Sequence, residues 1–128
     1  MTNEALAAKI EAAPAEQQRE MLELAFIAIH GLALEDSDRF FDLLNAKAYE
    51  SAAITLVPEG WVRGFEEWPH PDKGPITRAW LKETSISRIG GDTIWGHSSD
   101  DQHIEGKAST PALALAAACV RAKGTGHE

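Results

Sequence analysis

Several things are scarce in this sequence, and each shortage removes a class of protein. There is one cysteine, Cys119, in 128 residues. No internal disulfide can form, which suits a reducing compartment. No apolar run approaches the ~20 residues of a bilayer-spanning helix. The start, Met1 to Glu4, lacks the basic segment and apolar stretch of a secretory signal. A cytoplasmic chain with no membrane association is therefore expected. Positive charge is also short: 12 Lys and Arg stand against 20 Asp and Glu, for a net charge of −8. Direct nucleic-acid binding needs a basic face, and none is visible, so none is expected. No Gly-x-Ser-x-Gly elbow, P-loop, Gly-x-Gly-x-x-Gly or His-Glu-x-x-His pattern occurs. The expectation is a protein that is not an enzyme and carries no cofactor.

What remains is enough for one folded domain. A chain of this length buries about 65–70% of its unfolded surface, and 44% of its residues are hydrophobic. The acidity lies mostly in residues 1–58, which hold ten acidic and four basic side chains. Such a surface serves solubility, and it also suits a basic partner.

The first half reads as helical. Residues 3–12 predict a short helix capped by Asn3, broken by Pro14. Residues 15–30 repeat apolar side chains at helical spacing, with Gly31 as the C-cap. A third helix is expected to run to about Asn45. A short apolar one follows, with Ser51 as its N-cap and its end at Val57, because a residue before proline leaves the helical region. A single longer helix through Val57 fits the periodicity as well. Pro58-Glu59-Gly60 reads as a turn.

The second half reads as strands. Residues 61–68 and 76–84 are strand-length runs with aromatic and β-branched residues, and 93–97 is a third. In the second run Ile76, Arg78 and Trp80 share one face, and Thr77, Ala79 and Leu81 the other. Pro69 to Pro75 and Ser98 to Lys107 read as loops, 85–89 is ambiguous, and Gly90-Gly91-Asp92 signals a tight turn. Residues 109–124 have a Ser or Thr cap, Pro111 in the first turn, basic residues in the last and glycine beyond: a strong alanine-rich helix. The expected fold is α+β. A small three-stranded antiparallel sheet is layered with helices as an α/β/α-type sandwich, with a helical N-terminal half and a C-terminal helix.

Two stretches carry a resemblance. Residues 48–61, Ala-Tyr-Glu-Ser-Ala-Ala-Ile-Thr-Leu-Val-Pro-Glu-Gly-Trp, and residues 108–122, Ala-Ser-Thr-Pro-Ala-Leu-Ala-Leu-Ala-Ala-Ala-Cys-Val-Arg-Ala, resemble small phage and prophage proteins grouped around the phage ABA-sandwich domain. The likeness covers roughly 48–68 and 108–122. It implies a phage or prophage origin, the cytoplasm of an infected or lysogenic bacterial cell, and an accessory role. It brings no catalytic residues with it.

Chemistry-bearing residues are few. His97, Asp101 and His103 could hold a divalent metal. Their spacing matches no strong ligand motif, and a polar surface loop is the plainer explanation. His70 and Asp72 would join them only through the fold. Cys119 sits in an apolar helix as a small core residue, and His30 ends a helix where it suits the dipole. Four tryptophans, Trp61, Trp68, Trp80 and Trp95, fall on strands or their ends. Arg63 shares a face with Trp61 and Phe65, and Arg78 with Trp80. Rings beside guanidinium groups suit a flat or phosphorylated ligand or a protein hot spot; they also suit a sheet core with arginines reaching past it. The functional expectation is binding, either of a host immune protein or of a nucleotide-like signal, as an anti-defence act. The alternatives are a self-associating assembly module and a small metal-dependent enzyme.

Overall fold

The computed structural model describes residues 2–31, 38–58, 61–70, 74–89, 92–97 and 103–123. Helix α1 spans Asn3–Ala12. Thr2, not Asn3, is its N-cap, and its hydroxyl accepts from Ala5 N at 3.0 Å. A single 3₁₀ turn, Ala15–Gln17, leads into α2, Gln18–His30. Gly31 closes α2 at φ +72, ψ −161, a conformation open to glycine alone, and its N–H reaches Ile27 O at 2.8 Å. Helix α3 is Asp38–Asn45 and α4 is Tyr49–Ile54. Ser51 therefore lies inside α4 and is not its cap, and the helix stops before Val57. Thr55 ends it, donating its hydroxyl to Ala52 O at 2.6 Å. Trp61 N donates to Pro58 O at 3.2 Å, as a turn there requires, although Glu59 and Gly60 lie outside the described residues.

Among the described residues four strands follow: β1 (Trp61–His70), β2 (Gly74–Ile89), β3 (Asp92–His97) and β4 (His103–Ala108). All pairings are antiparallel. The first half of β2 lies between β1 and β4, with Ala79 opposite both Phe65 and Gly106. Its second half pairs with β3, Ile86 opposite Trp95. The expected three-stranded sheet is present, but its third member is β4, and the 93–97 strand extends the distal half of β2. Two loop expectations are corrected. Residues 103–107 are strand, and β1 and β2 run into the 69–75 stretch, pairing as far as His70 opposite Gly74. Residues 71–73, and Gly90 and Gly91, lie outside the described residues, while the register beside the latter closes Ile89 onto Asp92.

The reason β4 escapes a sequence reading is its inward face: Ile104, Gly106 and Ala108 offer one large apolar side chain. Small residues stand there because a helix comes close. Helix α5 is Pro111–Lys123, capped by Thr110, whose hydroxyl accepts from Leu113 N at 3.2 Å. A Cβ on Gly106 would run into Ala114 O and stand 2.9 Å from Ala118 N. Every residue of α5 from Ala112 to Val120 is buried. A helix apolar all round needs cover on every side. The sheet face bearing Thr77, Ala79, Leu81, Gly106 and Ala108 supplies one side. Helices α1, α2 and α4 supply the other. The layers run sheet, α5, N-terminal helices, so a helix and not the sheet occupies the middle of the stack.

Candidate functional site

The two faces of the sheet separate the tryptophan–arginine set. Trp61, Arg63 and Phe65 point to the helix side with Ala79 and Leu81; Arg78 and Trp80 point away from it. Trp68 stands opposite Ile76, and Trp95 opposite Ile86; their side chains are outside the described set. Trp61 and Arg63 therefore do not share a face with Arg78 and Trp80.

On the outer face Trp80 lies over its cross-strand neighbour Gly64, where a Cβ would come within 2.7 Å of the indole Nε1. Lys82 Nζ sits 5.8 Å from the centre of its ring. Arg78 is held between strands: its Nη1 meets Glu66 at 3.1 Å and its Nε donates to Glu105. This guanidinium is committed to joining β1, β2 and β4.

A second ion-pair cluster ties α5 to α1. Arg121 forks onto both oxygens of Glu11 at 2.7 Å, reaches Glu4 at 2.7 Å and donates to Glu105 O at 3.0 Å. Lys107 N–H adds 2.8 Å to Glu11. Partial burial pushes the Glu11 carboxyl up, but the Arg121 fork, the Lys107 N–H and both positive charges outweigh it and hold the group below its ordinary value. The Glu11 hydrogen bonds in turn raise Arg121. The cluster is structural. Beside it a shallow groove of about 550 Å³ runs between Ala12–Pro14 and Ile76, Lys107 and Ala108.

Trp61 belongs to a different place. It walls a pocket of about 350 Å³ where α2, α4 and α5 all end. Leu56, Cys119 and Ala122 are its buried floor. Ile29, Val57, Pro58 and the Trp61 ring are half-buried walls, and exposed His30 and Lys123 stand at its mouth. Burial drives the Cys119 thiol upward, so it stays neutral and serves as an apolar floor. The His30 ring packs 4.9 Å from that of Phe26. His30 and Lys123 each close a helix, where a basic group offsets the dipole.

Of the proposed metal ligands, His97 falls opposite Thr84 and His103 opposite Lys82 in the strand registers. Their side chains, with Asp101, His70 and Asp72, lie outside the described set. Among the described residues no three His, Cys, Asp or Glu side chains come together as a metal site. No helix there is long and apolar enough to cross a membrane.

Sequence reasoning picked out Trp61 but missed its neighbours. Each helix end was signalled separately, by Gly31, Pro58 and Gly124. Their meeting point was not, because it depends on how three helices pack. Comparison with protein-family models, with curated proteins and with solved structures finds no match for this chain.

Proposed function

We propose that this chain is an accessory protein of phage or prophage origin that acts by binding, and that it sequesters a small flat ligand in the pocket beside Trp61. The origin rests on the resemblance of residues 48–61 and 108–122. The pocket carries the binding reading. A ligand site is typically a concavity of about 300–1,000 Å³, mostly apolar, with a few polar groups that orient the guest. The space at the ends of α2, α4 and α5 has that size and lining, with an indole wall. Held in the cytoplasm of an infected cell, such a protein would lower the free level of a signal, which is one form of anti-defence.

The test is a titration with 2-naphthoate followed by amide NMR. Shifts confined to Ile29, Leu56, Val57 and Ala122, and lost in Trp61→Leu, are expected. Shifts elsewhere, or none with 2-naphthoate or with its neutral and cationic analogues, would end this reading.

A second reading is inhibition of a host protein through the outer sheet face. It is favoured by Trp80, an aromatic side chain half-buried over Gly64 and flanked by Arg78 and Lys82. Trp80→Ala would then abolish capture of a host protein that Trp61→Leu still captures.

A further inference from the structure

The pocket's polar groups are distributed unevenly, and that distribution selects a ligand. Its floor and walls are apolar. Among the described residues its ionisable lining consists of Lys123, His30 and the neutral Cys119, with no carboxylate, in a chain where acids outnumber bases 20 to 12. Lys123 makes no hydrogen bond or ion pair among the described residues, and its exposed ammonium stands at the mouth. His30 offers an imidazole N–H there in either protonation state.

The competing influence is the negative end of three helices, which would favour a cation. Several of those carbonyls are already engaged. Ile27 O accepts from Gly31 N at 2.8 Å, Ser51 O and Ala52 O from Thr55 N, Ala53 O from Leu56 N at 3.0 Å, and Ile54 O from Val57 N at 3.1 Å. Thr55 has spent its hydroxyl proton on Ala52 O and presents only lone pairs to the pocket. An anionic group is thus turned away from the α4 side and toward Lys123. The volume, near the small end of the range for ligand sites, suits one ring system and leaves little room for a dinucleotide.

We infer that the pocket takes a flat, single-ring-system anion, a carboxylate or a phosphomonoester. Its ring lies against Trp61 and over Leu56 and Ala122, and its charge sits at the mouth with Lys123 and His30. This rests on the reading of the pocket as a binding site.

The test compares three probes of matched shape: 2-naphthoate, neutral 2-naphthylmethanol and 2-naphthylmethylammonium, each titrated by NMR. The naphthoate should bind tightest, by about fivefold over the alcohol, which is what a solvent-exposed ion pair supplies. The ammonium should bind weakest. The naphthoate preference should shrink with added salt. It should also vanish in the double variant Lys123→Gln, His30→Gln, which should bind the naphthoate no tighter than the alcohol. Equal binding of the three, an ammonium preference, or a naphthoate preference that survives the double variant would overturn the anion assignment. In those cases loss of all binding in Trp61→Leu would leave the pocket itself standing. If no probe binds wild type, the pocket reading falls and the inference falls with it. 2-Naphthyl phosphate in place of the naphthoate separates the two anion classes, and the tighter of the two identifies the group.

Discussion

Two glycines sit on opposite faces of the same sheet, and both mark a close approach. Gly106 faces inward, where the backbone of α5 occupies the space a Cβ would need. Gly64 faces outward, where the Trp80 indole lies across it. The inner approach is between two rigid backbones, and neither can yield. The outer one is between a backbone and a side chain that can rotate. The inner face is thus closed by a helix packed on small residues. The outer face is closed by its own side chains: Trp80 over glycine, and Arg78 between Glu66 and Glu105. The difference separates tryptophans that look alike in sequence. Trp80 covers the sheet surface, whereas Trp61 walls a pocket.

The sharpest way to break this contrast is to place a side chain at Gly106. Gly106→Val should cost about 3 kcal/mol or prevent folding, since overpacking against a backbone finds no relief. Denaturant unfolding measures it, and a loss under 1 kcal/mol would mean that α5 does not lie where described.

The next effect concerns what fixes the end of α5. Arg121→Met should cost about 2–3 kcal/mol, because it leaves the partly buried Glu11 without its fork. The pH dependence follows from the lowered Glu11 carboxyl. A depressed folded value stabilises the protein above the unfolded value, near 4.5, and this contribution is lost as pH falls through the folded value. Urea midpoints should therefore drop below about pH 4.5 in wild type, and less steeply in the variant. Parallel curves would show that the cluster contributes no linkage.

The smallest effect is at the outer glycine. Gly64→Ala should cost about 1 kcal/mol by displacing the Trp80 ring. The same change made in Trp80→Ala should cost less, because the ring is already gone. That coupling is read from a double-mutant cycle. Strict additivity would mean that the indole does not rest on Gly64.

How much of this was legible in the sequence depends on the signal each element carries. Helix α5 was, from its proline, basic end and alanine content. The alternation of Thr77, Ala79 and Leu81 against Ile76, Arg78 and Trp80 was, since a strand has no other way to arrange them. Strand β4 was not, because Gly106 and Ala108 were chosen by the closeness of α5 and so lack the large apolar signature of a strand. Arg121's pairing with Glu4 and Glu11 joins opposite ends of the chain, and no local pattern announces it. That the Trp61–Arg63 pair and the Arg78–Trp80 pair lie on opposite faces was not legible: parity within a strand is readable, but which parity faces the helices is set by tertiary packing. The pocket was unreadable for the same reason, since His30, Leu56, Trp61 and Lys123 meet only after α2, α4 and α5 pack together.

One measurement tests the distinction between the two tryptophans directly: the thermal shift given by saturating 2-naphthoate in wild type, Trp61→Leu and Trp80→Ala. A ligand at 100 times its dissociation constant adds about 2.7 kcal/mol of apparent stability, a readily visible shift. The expected result is a response in wild type that persists in Trp80→Ala and disappears in Trp61→Leu. A response that survives in Trp61→Leu and disappears in Trp80→Ala would move the site to the outer face and contradict the account.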